Sequence, residues 1–231
     1  MARRARSSTH APRRIDFHSH SYLSDGSTSA TDMWNEAEGL GHRALALTDH
    51  LSMEDPRPML DRLHREATAW EGTSFAPLVG VELTKLPVAQ IARVARLARR
   101  SGAEIVIVHG ESIVERVPLG TNHAALDSGE VDVLAHPGLL TKGDADLARA
   151  HGVALELSAR RGHSLTNGLV VRRALEAGAE LVVDSDAHRP SDLVPLEQAR
   201  RIALGAGLDA APLQRALFRG PEDLLRRLQR S

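Results

Sequence analysis

The stretch Glu104-Ile105-Val106-Ile107-Val108-His109-Gly110 decides how the chain is to be read. Its four consecutive β-branched residues leave no polar face, as expected of a parallel strand covered on both sides. The run ends on His109, so the strand delivers an imidazole at its C-terminal tip. Six more aliphatic or β-branched segments lie outward from it, near Arg14–Phe17, Arg43–Thr48, Leu78–Val81, Val131–Ala135, Val153–Leu157 and Leu181–Asp184. Each of the seven is followed by a longer helical pattern, an alternation that argues for α/β architecture with a parallel sheet. A closed, barrel-like arrangement is the simplest that accommodates seven such units.

The helical patterns fall at Thr31–Leu40, Pro58–Trp70, Val88–Arg100, Asp144–His151, Thr166–Ala177, Leu193–Ala206 and Pro212–Leu228. In the third, Val88, Ile91, Val94, Ala95 and Ala98 share one face and the arginines mostly take the other. By composition, that basic stripe reads as a solvated surface rather than a phosphate groove. Asp144 and Thr166 are expected as N-caps, and Gly41, Gly102, Gly152 and Gly178 as helix stops.

At 231 residues and 42% hydrophobic, the chain can bury a sizeable core as one domain over residues 14–231, behind a loose basic tail over residues 1–13. Arg3, Arg4 and Arg6 give the tail its charge. The balance of 29 Lys+Arg against 30 Asp+Glu, a formal charge of -1, provides no global field for nucleic acid or membranes, so an anionic substrate must be attracted locally. With only 3% aromatic residues, stacking platforms for single strands are scarce. No apolar run approaches the length of a membrane span. The absence of cysteine excludes disulfides, thiolate metal sites and a cysteine nucleophile, and fits a reducing compartment; a cytoplasmic location is expected.

The chemistry lies in where twelve histidines and a set of acids fall. In Ile15-Asp16-Phe17-His18-Ser19-His20 the two imidazoles are two residues apart, which puts them on one side of an extended segment. His18 and His20 follow the first strand, Asp49 and His50 the second, Glu82 the third, His109 the fourth, His136 the fifth, and Asp186 and His188 the seventh; the sixth carries Glu156. Six histidines thus gather at strand tips, the end of a parallel sheet where sites form. His10, His42, His64, His123, His151 and His163 lie elsewhere. Nitrogen and oxygen donors without thiolate suit Zn, Mn or Fe better than Ca or Mg. So many candidates imply more than one ion, with Glu82 the natural bridge between histidine donors. Such clustered ions favour displacement at phosphorus, although they serve amide hydrolysis as well.

The ordered motifs His18-Ser19-His20 with Asp25-Gly26, Thr48-Asp49-His50, Gly80-Val81-Glu82, Val108-His109-Gly110, Ala135-His136-Pro137-Gly138 and Asp184-Ser185-Asp186-Ala187-His188 resemble those of the PHP (polymerase and histidinol phosphatase) superfamily. The resemblance runs from about residue 14 to 190 and is similar in particular to stand-alone histidinol-phosphatase-like members. It implies a distorted seven-stranded (β/α) TIM-like barrel with a trinuclear metal centre at the C-terminal ends of the strands. It further implies a first metal on His18, His20, Glu82 and Asp186, a second on Glu82, His109 and His136, and a third on Asp25, His50 and His188. Some members have histidine near position 25 and others the Ser-Asp-Gly version present here, so the third site departs from the histidine form of the motif.

The expected activity is metal-dependent hydrolysis of a small phosphomonoester by a metal-bridged hydroxide, using two or three Zn, Mn or Fe ions. Glu82, Asp186, Asp49 and His188 are the expected catalytic residues, with Asp49 orienting His50 or protonating the leaving group. Arg160, Arg161 and His163, in a loop leading to the helix at Thr166, are expected to grip phosphate; a solvated basic loop is an equal reading. Lys85 and Lys142 are weaker candidates, and Tyr22 and Glu111 are expected to orient ligands. The alternatives are a phosphodiesterase or exonuclease acting on nucleotides or short oligonucleotides, and a non-catalytic, metal-stabilised accessory module.

Overall fold

The computed structural model describes residues 13–230. Apart from Arg13, the expected basic tail, with Arg3, Arg4 and Arg6, lies outside the described residues. Arg13 is anchored: its guanidinium donates to the carbonyls of Gly41 and His42, the latter at 2.5 Å.

The strands are β1 (Ile15–Asp16), β2 (Ala44–Leu47), β3 (His50–Leu51), β4 (Ala76–Leu83), β5 (Ile105–His109), β6 (Val133–Ala135), β7 (Ala154–Ser158) and β8 (Leu181–Asp184). All pair in parallel in the order β1-β2-β4-β5-β6-β7-β8, and β3 pairs with the upper part of β4. The sheet curls into a nearly closed TIM-like barrel. At the seam, Ser19 bridges to Ala187 and the His20 N–H donates to the Ala187 carbonyl at 2.8 Å. Side chains add to it, with Arg14 donating to the Val183 carbonyl and the Phe17 N–H to Asp184.

The continuous apolar runs follow from this closure, because each strand buries both faces. Ala44, Ala46, Leu78, Ile105, Ile107, Val133 and Val182 fill the barrel interior, while Leu45, Leu47, Val79, Val81, Val106 and Val108 pack outward in the layer that includes the helices. The helices are α1 (Ala30–Gly39), α2 (Arg57–Ala67), α3 (Ile91–Arg100), α4 (Thr121–Asp127), α5 (Lys142–His151), α6 (Asn167–Ala177), α7 (Leu196–Gly205), α8 (Ala210–Gln214) and α9 (Gly220–Leu228). Leu224, Leu225 and Leu228 of α9 join the interior cluster and close the bottom of the barrel. None of the described helices is long and apolar enough to cross a membrane.

Three sequence expectations are corrected. Asp144 does not cap α5; Thr141 does, accepting from the Asp144 N–H at 3.1 Å, and Asp144 stands in the first turn. The single helix expected over Pro212–Leu228 is interrupted by a π-helical turn at Arg215–Arg219, just ahead of Pro221, which lacks an N–H and crowds the preceding turn. The short strand β3 lies where none was expected, and the strand ending at His109 is followed by only the seven-residue α4 rather than a longer helix. Gly152 and Gly178 do end α5 and α6 in left-handed conformations.

Candidate metal centre

On β4, β5 and β7 the inward-facing register is apolar at the bottom of the barrel and polar at the top. Leu78 leads to Glu82 on β4, Ile105 and Ile107 to His109 on β5, and Ala154 to Glu156 and Ser158 on β7, each by steps of two residues. The alternation ends at strained backbone: His136 has φ 28° and Asp186 φ 50°, in the left-handed region that non-glycine residues seldom enter. Lys85, at φ 55°, is a third such position, and it lines one cavity with His136 and Asp186. Backbone strain of this kind gathers at functional sites when the surrounding structure holds it in place. At His136 the support is visible, because its N–H donates to Glu156 Oε2 at 2.7 Å.

The nine expected ligands come together as three adjoining clusters. His18 Nε2 and His20 Nε2 lie 3.1 Å apart, at 3.8 and 3.5 Å from Asp186 Oδ1 and 3.5 and 3.6 Å from Glu82 Oε2. On the other side of the same carboxylate, Glu82 Oε1 lies 3.3 Å from His109 Nδ1 and 3.4 Å from His136 Nε2. Asp25 completes the third group, with His50 Nε2 at 3.4 Å from Oδ2 and His188 Nε2 at 3.2 Å from Oδ1. The donor atoms of His18, His20 and Asp186, those of Glu82, His109 and His136, and those of Asp25, His50 and His188 together with His20 each lie close enough together to surround one ion.

The donors fit metal binding on a further ground. Buried polar atoms normally have hydrogen-bond partners. Both oxygens of Glu82, both ring nitrogens of His109, His20 Nδ1 and His136 Nδ1 are buried without one. The imidazoles approach Glu82 without hydrogen-bond alignment, an arrangement suited to sharing cations between them.

The electrostatics match. Burial pushes the Glu82 and Asp186 carboxyls up, but the histidines around them prevail and hold both below the usual range, Glu82 well below. His50 is opposed by burial yet raised to about 10 by Glu82 and Asp25. In contrast, burial dominates at His20 and takes it down to about 4. The centre is thus a buried anionic site ringed by imidazoles.

Two residues not singled out as site residues hold the ligands in place. Glu156 Oε1 accepts from His18 Nδ1 at 2.7 Å, which leaves Nε2 directed at the cluster. The Thr84 hydroxyl donates to the Glu82 carbonyl and so accepts from His50 Nδ1, at 2.6 Å. Glu156 was within reach of sequence reasoning, since it continues the inward register of β7. Thr84 gave no signal.

Other expected site residues stand apart. Asp49 is buried with its carboxylate occupied by the Ser21 N–H, Ser21 Oγ and Ser24 Oγ at 2.8, 2.7 and 2.6 Å. It braces the loop that carries Asp25, and His50 is oriented by Thr84 instead. Tyr22 is 45% exposed and packs under the Arg62 guanidinium, away from the ligands. Glu111 Oε1 accepts from the N–H groups of Gly120 and Asn122 and so anchors the start of α4. Lys142 is exposed at the start of α5.

The basic residues divide. Arg160 reaches the cluster, donating to the Asp186 carbonyl at 3.3 Å and touching His188. His163 is buried, stacks on His136 at 4.1 Å between ring centroids and bonds Ser112 Oγ at 2.7 Å. Lys85 and Glu115 stand at the mouth, 3.9 Å apart, and Arg161 is exposed beside a neighbouring cavity.

Comparison with known proteins agrees with this architecture. The PHP domain profile matches residues 16–156, more than half of the chain. An uncharacterized protein of Methanocaldococcus jannaschii is 38% identical over 217 residues, covering 93% of this chain and 100% of its own. A probable phosphatase of Shewanella frigidimarina is 35% identical over 113 residues, and the match spans 44% of each chain. Among solved structures, a chain of an archaeal ribonuclease P bound to mature tRNA superposes with a TM-score of 0.66 at 16% identity, covering 93% of this chain and 89% of that one. The histidinol phosphate phosphatase of Lactococcus lactis, complexed with Zn, L-histidinol and phosphate, gives a TM-score of 0.61 at 14% identity, covering 85% and 95%. On the profile match and the full-length relative, with the fold in accord, this chain belongs to the PHP domain family.

Proposed function

We propose that this chain is a metal-dependent phosphoesterase that hydrolyses a small phosphomonoester. The observation that carries the reading is Glu82, whose two buried oxygens face separate histidine groups and have no hydrogen-bond partner. The probable phosphatase among the relatives and the Zn and phosphate named with the Lactococcus lactis structure support it.

His18, His20, Glu82 and Asp186 would hold one ion, Glu82, His109 and His136 a second, and Asp25, His50 and His188 a third, with Zn, Mn or Fe as suitable identities. When bound, clustered divalent ions supply an acidified water and neutralise charge on phosphate oxygens. Glu156 keeps the proton of His18 on Nδ1, and Thr84 does the same for His50, so that Nε2 of each ring is the donor atom. Arg160 presents its guanidinium at the edge of the ligand set, where a phosphate oxygen can take a charge-assisted hydrogen bond. His163 and Lys85 flank the same opening. The products are inorganic phosphate and the free alcohol: the P–O bond to the leaving group breaks and water supplies the replacing oxygen and the proton.

The deciding experiment is phosphate release from a panel of phosphomonoesters by the Mn- or Zn-loaded protein, with metal content measured on the same sample. Turnover that falls at least about 100-fold in Glu82→Gln is expected, since that change removes a charge from the bridging position. A metal-replete protein that releases no phosphate from any of them overturns the assignment. A higher rate on bis(p-nitrophenyl) phosphate than on p-nitrophenyl phosphate would replace it with a phosphodiesterase.

A further inference from the structure

A cavity of about 580 Å³ opens beside the ligand set. It shares Asp25, Arg160, Asp186 and His188 with the smaller cavity, about 180 Å³, that the metal ligands surround. The two therefore adjoin at Arg160, and a phosphate held there would have the larger space beside it. That volume is in the range of small-molecule sites. Leu193 and Val194 contribute apolar surface, while Ser27, Gln198, Arg161 and Arg189 make the rest of the lining largely polar.

The charges along this lining are unevenly matched. Asp25 and Asp186 face the histidines. Asp192 is taken by Arg189, with Nε to Oδ1 at 2.9 Å. Arg160 is engaged with Asp186 and His188. Arg161 alone among the charged residues of this lining has no hydrogen-bond or ion-pair partner among the described residues. The charge left uncompensated beside the reaction site is positive, on a group whose fork geometry suits carboxylate and phosphate.

We propose that this cavity receives the leaving group of the substrate, and that Arg161 selects leaving groups bearing an anion of their own, a carboxylate or a second phosphate, over neutral and cationic ones. The proposal rests on the phosphoesterase reading above and narrows its substrate class. It also separates this chain from the Lactococcus lactis enzyme, since the L-histidinol bound there carries an amine that Arg161 would oppose.

The test compares kcat/KM of the metal-loaded protein for 3-phosphoglycerate, glycerol 3-phosphate and 2-phosphoethanolamine, whose leaving groups are anionic, neutral and cationic. Fructose 1,6-bisphosphate against fructose 6-phosphate tests a second phosphate in place of the carboxylate. The anionic member of at least one pair is expected to lead by about tenfold or more, mainly through KM, as for loss of one charge-assisted hydrogen bond. In Arg161→Ala that ratio is expected to collapse toward one, and Arg161→Lys to restore part of it. No anionic preference in either pair, a lead for 2-phosphoethanolamine, or a preference unchanged in Arg161→Ala overturns the proposal. If no phosphoester is turned over, the phosphoesterase reading fails separately. Calorimetric binding of 3-phosphoglycerate and glycerol 3-phosphate to the wild type and Arg161→Ala then decides: a preference for 3-phosphoglycerate lost in the variant upholds selection by Arg161, and any other pattern overturns it.

Discussion

Glu156 holds His18 and His136 in a single grip: Oε1 accepts from His18 Nδ1 and Oε2 from the His136 N–H, both at 2.7 Å. One buried carboxylate on β7 thereby orients a ligand after β1 and fixes the strained backbone of a ligand after β6. Glutamine at this position can accept at only one of the two contacts and points an N–H₂ at the other. Glu156→Gln is expected to weaken metal binding about 10–100-fold, as other losses of ligand-orienting carboxylates do. Competition with a chelator measures it, and wild-type retention of metal would exclude the orienting role.

Asp25 contributes to the third group alone and is 54% exposed, whereas Glu82 and Asp186 are buried among shared donors. Its carboxyl is held below the usual range by His188 and His50, against the opposing effect of burial. Asp25→Ala is expected to cost one equivalent of bound metal and leave the ions at Glu82 in place. Elemental analysis of wild type and variant reads this directly; an unchanged metal content would remove Asp25 from the ligand set.

A methyl group at Gly138 would stand 1.8 Å from the Glu111 carbonyl oxygen, at φ +65°. The loop after His136 can pass this close only with glycine there. Gly138→Ala is expected to destabilise the fold by about 3 kcal/mol, or roughly 6–12 °C in Tm. Gly39→Ala serves as the control, because nothing lies within 4 Å of a methyl group there, and should be neutral or slightly stabilising. Equal melting of both variants would show that the loop yields.

His42 is fully buried with neither ring nitrogen hydrogen-bonded. Burial first, and then Arg14, bring it down to about 4 despite Asp16. The unfolded chain takes up a proton near pH 6.5 that the folded chain refuses until about pH 4, so this contribution to stability is complete above about pH 6.5 and falls as the pH drops toward 4. The loss amounts to about 3 kcal/mol at the lower end. His42→Leu should abolish this part of the pH dependence, measured as the difference between the two proteins in urea unfolding at pH 4.5–7. Parallel curves for both would show that another group carries it.

The features legible in the sequence are those that depend on a residue and its near neighbours. Ile105–Val108 reads as a buried strand because all four side chains are β-branched, and the His18 and His20 pair reads as a unit because of its spacing. The fold class and the gathering of ligands at strand tips follow from repeating that reading seven times. What stayed hidden was set by partners far along the chain. β3 is two residues long and exists because His50 and Leu51 pair with Glu82 and Leu83. Asp49 looks like a strand-tip acid until Ser21 and Ser24 are seen to occupy it. Glu115 lies in a loop with no periodicity, and only the folded chain brings it within 3.4 Å of His163 and 3.7 Å of His109.

The seam between β1 and β8 has a consequence for the kinetics of folding. Its bonds join residues 167 to 169 positions apart, as between Phe17 and Asp184 and between Arg14 and Val183, and contacts of that separation carry a large loop-closure cost. The ring is expected to close last and to open first. His20 and Asp186 sit on opposite sides of that seam, so opening it separates donors of the first metal site. Bound metal should therefore act as a clasp that slows unfolding more than it speeds folding, because the donors it joins meet only after the rate-limiting step.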